Sequence, residues 1–254
     1  MARPLLWEVA YAPGTTATVA LLAAIFILIR SRNLQYSDVG LSYERFTQQR
    51  ELYRVVSSQL SHIELLHLLF NVSSTWSLRT AEADGLHQYL LTSLILMLLS
   101  AAVYLAMLHI LIHYTQQERY RQMNVVGYSC VVFGWMTILS ARGVAKFSVL
   151  GMAQLPMGLA PFGSLLLTSV IFPRASFLGH LSGILVGYTI AAGLFDWLSA
   201  FWLISLAAWG IAMDAWPRLI SRELTLPGVV MLAAAAPLDV ETGLVDHIEI
   251  TSDL

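Results

Sequence analysis

A serine, two histidines and an asparagine stand in separate apolar stretches of this chain, and together they could perform nucleophilic catalysis. They are Ser129, His180, His67 and Asn71. A serine hydroxyl becomes a good nucleophile only when a base within hydrogen-bonding distance takes its proton, and histidine suits that task. Attack on a peptide carbonyl produces an oxyanion, which preorganised donors must stabilise. We therefore predict acyl transfer with Ser129 as nucleophile, His180 as base, and His67, Asn71 and the Ser129 backbone N–H as donors.

The composition indicates that these stretches lie in a membrane. The 254 residues are 57% apolar and only 12% charged, and the mean hydropathy is +0.68, whereas about a quarter of the residues of soluble domains are charged. With 14 basic and 16 acidic residues, the formal charge of −2 favours no nucleic-acid partner. The single cysteine, Cys130, excludes an internal disulfide framework.

Seven apolar segments predict an all-α polytopic membrane protein. A bilayer core requires about 20 apolar residues per helix, and unpaired backbone groups in lipid are costly, so each crossing should be helical. The predicted crossings are residues 15–29, 62–78, 88–113, 125–140, 156–172, 176–194 and 198–216. The stretch 31–61 should lie along the interface. We expect a transmembrane domain over residues 1–216 and a polar, disordered tail over residues 217–254.

The second, fourth and sixth predicted helices run in the same direction, so equal distances from their starts mean equal depth. At about 1.5 Å per residue, Ser129 and His67 lie about 7.5 Å and His180 about 9 Å past the polar residue that precedes each helix. The three side chains are therefore expected in one shallow layer.

Helical periodicity predicts which side chains of the second helix point the same way. A rotation of about 100° per residue places Glu64, His67 and Asn71 on one face and His62 off it. This face should point towards the nucleophile.

The sixth helix presents His180, Gly183 and Gly187 on one face, and the two glycines would let another helix approach closely. That approach would bring His180 to Ser129. No acidic residue stands at this depth on the fourth or sixth helix to orient His180, so we expect a dyad, with Phe133 packing against the imidazole.

Three motifs resemble those of the rhomboid family of intramembrane serine proteases, and they occur in the family's order along the chain. They are His62-x4-His67-x3-Asn71, Gly127-Tyr128-Ser129 and His180-x2-Gly183-x3-Gly187. Tyr53-Arg54 is similar to the family's aromatic-arginine pair in the first interfacial loop. Residues 126–140 and 175–188 resemble those of plant rhomboid-like proteins.

The resemblance implies a fold, a reaction and a set of roles. It implies a rhomboid-like six-helix bundle plus one additional C-terminal transmembrane helix. The enzyme would cleave transmembrane protein substrates in the lipid bilayer, without metal or organic cofactor. Ser129 and His180 would be the catalytic dyad, and His67, Asn71 and His62 would form the oxyanion hole. The supporting residues would be Gly127, Phe133, Gly183 and Gly187.

Two residues depart from the family pattern. Cys130 stands where the family usually has glycine, and Phe133 stands where many members have tyrosine. A cysteine side chain could narrow the oxyanion pocket, which bears on the rate more than on the reaction type. On a regular helix, however, Cys130 points about 100° away from Ser129, and we interpret it as a packing residue. It also motivates the main alternative, a pseudoprotease that binds membrane clients without cutting them. A third hypothesis, a transporter, would require charged groups near mid-membrane.

Two further features bear on substrate entry and metals. The fifth predicted helix carries Pro156, Gly158, Pro161 and Gly163, so we expect it to act as a moving gate for substrate. His109 and His113 stand one turn apart at the end of the third helix. A metal site needs more ligands than these two, and we interpret them as interfacial histidines.

Overall fold

Helices make up most of the chain in the computed structural model, which describes residues 5–143, 148–149, 153–154, 160–171, 175–197 and 200–220. The helices are α1 (Leu5–Tyr11), α2 (Pro13–Ser31), α3 (Tyr36–Val39), α4 (Tyr43–Thr47), α5 (Arg54–Leu60), α6 (Leu65–Ser77), α7 (Leu86–His113), α8 (Ser129–Ala141), α9 (Ala160–Ile171), α10 (Phe177–Ala191) and α11 (Ala200–Ile220). Short 3-10 turns cover Arg79–Glu82 and Glu118–Tyr120, and a two-residue antiparallel hairpin pairs β1 (Ser148–Val149) with β2 (Ala153–Gln154).

Two helices of the described chain are long and apolar enough to cross a membrane. These are α2, with 19 residues, and α7, with 28 residues. The apolar helices α8, α9 and α10 have 13, 12 and 15 residues. At about 1.5 Å per residue, each is shorter than a bilayer core of about 30 Å. Length and composition therefore give two candidate crossings in the described chain, and the six-plus-one arrangement stays a prediction.

Two helices begin later than the hydropathy pattern predicts. Helix α6 begins at Leu65 instead of residue 62, and α8 begins at Ser129 instead of residue 125. Before α8 the backbone is extended, because Leu41 and Val125 form an antiparallel bridge and the Gly127 N–H donates to the Ser58 carbonyl at 3.0 Å. These contacts between distant segments fix where α8 starts.

The predicted interfacial stretch folds into the short helices α3, α4 and α5 around one buried arginine. The Arg54 guanidinium donates to the carbonyls of Asp38 at 2.8 Å and Gly40 at 2.9 Å, and it forms an ion pair with Glu51 at 2.5 Å. This hydrogen-bonded guanidinium holds the pKa of the Glu51 carboxyl below its usual value. Arg54 thereby ties α5 to the end of α3.

Helix α8 lies at the centre of the core, since every residue from Cys130 to Ser140 is buried. On one side, the Trp135 ring stacks on Tyr89 of α7 with centroids 5.5 Å apart. On the other side α8 packs against α10. A Cβ atom on Gly183 would collide with the Cys130 carbonyl, and a Cβ atom on Gly187 would lie 2.7 Å from the Gly134 carbonyl oxygen. The glycine seam predicted on the sixth helix thus packs directly on α8.

The N-terminus of α2 is capped by a carboxylate that comes from a distant turn. The buried Glu82 side chain accepts hydrogen bonds from the backbone N–H of Gly14 at 2.8 Å and of Thr15 at 2.9 Å, and from the Thr15 hydroxyl at 3.1 Å. Because the first N–H groups of a helix have no partner within the helix, this cap satisfies two of them.

The predicted boundary at residues 216–217 falls within a helix. The chain divides into two compact units, Met1–Ala200 and Phe201–Leu254, and α11 continues to Ile220. The rest of the predicted tail, residues 221–254, and its expected disorder lie outside the described residues. The division into a transmembrane domain over 1–216 and a tail over 217–254 stays a prediction.

We predict that Glu82→Ala lowers the free energy of unfolding by about 1–3 kcal/mol, because it leaves buried donors without an acceptor. Glu82→Gln keeps one acceptor oxygen and should cost less. Thermal unfolding in detergent micelles measures both effects, with the exposed Glu118→Gln as control. Equal stability of Glu82→Ala and wild type would contradict the capping role.

Candidate active site

One cavity of about 340 Å³ collects most of the side chains singled out from the sequence. Its wall is formed by α6 as far as Ser74, the first turns of α8 and α10, the end of α9, Tyr36 of α3 and the segments that precede α8 and α10. Ser129, His180, His67, Asn71 and Phe133 all line it. Residues separated by more than a hundred positions therefore meet in one place.

Ser129 is held at the first position of α8 by an unusual backbone conformation at Gly127. Gly127 has φ +118°, a region that L side chains rarely adopt. A Cβ there would also lie 2.5 Å from His67 Cε1 and 2.7 Å from His67 Nε2. Both the positive φ and the close approach of His67 therefore require glycine at position 127. The turn at Gly127 leads into α8, where Ser129 is half-buried in the cavity wall.

His180 is buried, and an aromatic ring restrains it. It stands in the first turn of α10, which Ser176 caps by accepting a hydrogen bond from the Gly179 N–H at 3.1 Å. The Phe133 ring is stacked on the imidazole, with centroids 4.4 Å apart and planes 20° apart. Within the described part of the chain, His180 Nδ1 has no hydrogen-bond partner. No hydrogen bond joins His180 to Ser129 among these residues.

The predicted oxyanion donors lie one turn apart on α6. Asn71 is 4% exposed and donates through Nδ2 to the His67 carbonyl at 2.9 Å. A side-chain amide has two N–H groups, so this bond engages only one of them. His67 itself is half-buried, beside Gly127.

His62 lies away from the cavity, in agreement with the rotation that places it off the face of His67 and Asn71. It precedes α6, is fully buried and does not line the cavity within the described residues. Its Nε2 accepts a hydrogen bond from the Tyr128 N–H at 3.5 Å, and its ring meets the His67 ring edge-on at 5.0 Å. His62 therefore supports His67 and the backbone before Ser129 from behind.

The Cys130 side chain points away from the cavity. Its thiol donates to Gln59 Oε1 at 2.7 Å, and Gln59 in turn donates to the Met97 carbonyl of α7 at 2.8 Å. Among described residues, the wall of the 340 Å³ cavity does not include Cys130. The expected narrowing of the pocket by this side chain is therefore wrong, because the first turn of α8 directs residue 130 towards α5 and α7.

Sequence analysis placed Glu64 on the face of His67 but missed two other residues that border the site, Tyr36 and Asn124. Tyr36 of α3 donates to Glu64 Oε1 at 3.4 Å, and both residues line the cavity together with Asn124. The polarity of Glu64 on the face of His67 was a signal for its place. Tyr36 and Asn124 carried no local signal, since they reach the cavity only because the end of α3 packs against the segment that precedes α8.

The predicted gate is partly described. Pro156 and Gly158 lie outside the described residues, whereas Pro161 and Gly163 belong to α9. Thr168 at the other end of α9 lines the cavity. Helix α9 is thus a wall of the candidate site, and its movement stays a prediction.

The histidine pair at the end of α7 is joined to the interfacial segment. The Tyr43 hydroxyl lies 2.7 Å from His109 Nδ1 and 3.3 Å from His113 Nε2. In the portion of the chain described here, no group of three His, Cys, Asp or Glu side chains could hold a metal ion.

The described part of the chain is mostly helical. Ser129 and His180 both line one cavity between its apolar helices. A model of the rhomboid domain matches residues 49–197, which is more than half of the chain. The chain therefore belongs to the rhomboid family, which is a family of integral membrane proteins.

Similar proteins come from plants, animals and yeasts. The chain is 29% identical over 182 residues to Rhomboid-like protein 15 of Arabidopsis thaliana, covering 67% of this chain and 44% of that protein. It is 29% identical over 186 residues to human Rhomboid-related protein 4, covering 71% and 57%. It is 28% identical over 138 residues to Rhomboid-type serine protease 2 of Kluyveromyces lactis, covering 54% and 50%. The chain thus spans about half the length of these relatives.

The plant resemblance noted in residues 126–140 and 175–188 is consistent with the first of these relatives. The same two stretches also resemble the plant rhomboid-like protein 13 group, and this narrower resemblance is a prediction from the sequence alone.

We predict that Cys130, the sole cysteine, reacts with a maleimide only after unfolding, because its thiol is buried against Gln59. In the folded protein, labelling should be roughly a hundredfold slower than labelling of the exposed loop variant Thr115→Cys made in a Cys130→Ala background. Quenched labelling followed by mass spectrometry measures both rates. Equal rates would show that the thiol faces an open cavity.

Proposed function

We propose that this chain is an intramembrane serine endopeptidase that cleaves transmembrane protein substrates through a Ser129–His180 dyad. The observation that carries the proposal is the shared cavity, which Ser129, His180, His67 and Asn71 all line. A binding function alone does not require a nucleophile, a base and two oxyanion donors in one recess.

The reaction follows from the roles of these groups. His180 takes the proton of the Ser129 hydroxyl as Oγ attacks the carbonyl carbon of the substrate peptide bond. The carbonyl oxygen becomes an oxyanion, and the C–N bond then breaks as His180 gives its proton to the leaving amine. Water, deprotonated by His180, attacks the acyl-enzyme ester and releases the carboxylic acid and the free Ser129 hydroxyl.

The start of α8 favours negative charge beside Ser129. The first N–H groups of a helix point out of its N-terminus, where the helix dipole is positive. The Ser129 N–H, the second Nδ2–H of Asn71 and the His67 ring would then donate to the oxyanion from different sides. His62 supports this arrangement from behind His67 and makes no contact with substrate.

Phe133 takes over the orienting task that a carboxylate has in a triad. Because Nδ1 of His180 has no partner in the described chain, ring stacking is the restraint that keeps the imidazole in place. A dyad of this kind depends on packing to hold its base in the productive orientation.

The membrane arrangement completes the proposal. The chain would cross the membrane seven times, in a six-helix bundle with α11 as the additional C-terminal crossing. Substrate would enter past α9, which forms one wall of the cavity. No metal or organic cofactor has a part in this mechanism.

The alternative is a rhomboid protein that holds membrane clients without cutting them. The observation that favours it is the absence, in the described chain, of a hydrogen bond between Ser129 and His180. Catalytic hydrogen bonds are often long before substrate binds, and Cys130 does not enter the cavity, so we consider the protease the better proposal.

We predict that Ser129→Ala and His180→Ala each lower cleavage of a transmembrane substrate by at least about a thousandfold. The measurement uses wild type and variants reconstituted in liposomes with a fluorogenic transmembrane peptide. Cys130→Ala, which leaves the cavity wall intact, is the matched control and should retain activity.

A fluorophosphonate probe separates the protease from the binding protein. Wild type should be labelled at Ser129, and the Ser129→Ala variant should not. Undiminished cleavage by either dyad variant would reject the mechanism, and an unlabelled wild type that still binds clients would favour the alternative.

We predict that Phe133→Ala lowers kcat by about a hundredfold while Phe133→Tyr stays close to wild type, because only the alanine variant removes the ring that positions His180. Substrate turnover and thermal stability should be measured on the same preparations. A loss of kcat in proportion to lost stability would show that the ring acts only in packing.

A further inference from the structure

We propose that His109, His113 and Tyr43 form a binding site for a divalent transition-metal ion, Zn²⁺ or Cu²⁺. The site lies where the end of α7 meets α4, apart from the residues that line the 340 Å³ cavity. It has no part in the proposed peptide hydrolysis. A metal ion there would join the long helix α7 to the interfacial segment.

Three donor atoms of these side chains converge on one point. The Tyr43 hydroxyl oxygen lies 2.7 Å from His109 Nδ1 and 3.3 Å from His113 Nε2. The imidazole centroids are 4.4 Å apart, and each is 6.0 Å from the centroid of the Tyr43 ring. Two histidines four residues apart on one face of a helix are the arrangement with which helices hold zinc. Tyr43 adds a third donor to this pair.

The separations between the donor atoms suit a small metal ion. Nitrogen and oxygen ligands stand about 2.0–2.2 Å from zinc, so two ligands of a tetrahedral site are about 3.3–3.5 Å apart. The distance from the Tyr43 oxygen to His113 Nε2 already has this value. The distance to His109 Nδ1 would lengthen by about 0.6 Å as the ion replaces the hydrogen bond. Because both histidines are exposed, this adjustment requires no repacking of the core.

Tyr43 is held in place by the hydrophobic contact between α4 and α7. Its ring is buried in a cluster that includes Leu105, Leu108 and Ile112 of α7. The hydroxyl is therefore presented at a fixed position to the two exposed histidines. A site with one fixed and two adjustable donors binds an ion at little cost in conformational entropy.

The end of α7 is accessible to ions in water. The helix has 28 residues and is about 42 Å long, whereas the hydrocarbon core of a bilayer is about 30 Å thick. The polar residues Thr115, Gln116 and Gln117 follow its last turn. The turns that carry His109 and His113 therefore extend beyond the hydrocarbon core, where dissolved metal ions can reach the ring nitrogens.

Binding exchanges a proton for the metal ion. The two histidines bind through neutral ring nitrogens, and the Tyr43 hydroxyl gives its proton to water and binds as the phenolate. Imidazole ligands suit both Zn²⁺ and Cu²⁺, and the Irving–Williams order places Cu²⁺ above Zn²⁺. We therefore expect both ions to bind, with Cu²⁺ bound more tightly.

A bound ion would also brace the segment that leads to α8. The residues on either side of Tyr43 are bonded to that segment, since Leu41 forms a bridge with Val125 and the Glu44 N–H donates to the Arg121 carbonyl at 3.0 Å. An ion held by α4 and α7 would therefore connect α7 to the chain just before α8. Because it binds the folded state, it should raise the stability of the protein.

The first experiment titrates the full chain, without a histidine tag and in detergent micelles, with zinc sulfate or copper sulfate. Calorimetry should show a tightest class of one ion per chain. His109→Ala and His113→Ala should each weaken Zn²⁺ binding at least about tenfold. Tyr43→Phe keeps the buried ring and should weaken binding about three- to tenfold, because water can take the place of the phenolate.

The matched control is His87→Ala, which removes another exposed histidine of α7 and should bind metal like wild type. Thermal unfolding without metal shows whether each variant is folded. The electron paramagnetic resonance spectrum of the Cu²⁺ complex should show two nitrogen ligands in wild type and one in His113→Ala. Unchanged affinity in both His109→Ala and His113→Ala, or no binding of either ion to wild type, would overturn the proposal.

Thermal unfolding with zinc distinguishes a site shared by α4 and α7 from a histidine pair on α7 alone. At a zinc concentration about a hundredfold above Kd, we expect the Tm of wild type to rise by about 5–10 °C. The rise should vanish in His109→Ala/His113→Ala and be smaller in Tyr43→Phe. An equal rise in wild type and Tyr43→Phe would refute the three-ligand site. Neither experiment uses peptide cleavage, so both outcomes are independent of the proposed endopeptidase function.

Discussion

The contact between α10 and α8 is the constraint on which the site depends. Gly183 approaches the Cys130 carbonyl so closely that no Cβ fits, and Gly187 meets Gly134 in the same way one turn later. In lipid no hydrophobic driving force presses helices together, so such close packing of small residues is what brings them into contact. His180 is carried on the same face of α10, and its distance from Ser129 is set by the backbone approach at Gly183.

A second layer of contacts decides how Ser129 is presented. The interfacial helices, held together by Arg54, carry Ser58 and Leu41 to the segment before α8, and their hydrogen bonds keep that segment extended as far as Gly127. The positive φ of Gly127 then turns the chain into α8 at Ser129. The nucleophile consequently stands at a helix start, where N–H groups converge, although hydropathy placed it inside a helix.

The sequence predicted the members of the site better than their geometry. Ser129, His67 and Asn71 were found from residue type and spacing, because reactive polar side chains are rare in apolar helices and each needs a reason to be there. His62 was correctly placed off the face of His67, but its contacts behind His67 could not be derived from a rotation of about 100° per residue, because His62 precedes α6. For the same reason the direction of Cys130 depended on where α8 begins.

By itself the sequence determined the helical membrane fold, the rhomboid family and the polar residues that can react, because composition and motif spacing are local properties. Only the tertiary structure decided that the Cys130 thiol contacts Gln59 and that Tyr36 meets Glu64 in the wall of the cavity. These outcomes depend on contacts between segments far apart in the chain. Periodicity fixes which side chains share a face of one helix, whereas the neighbour that covers this face is fixed by packing.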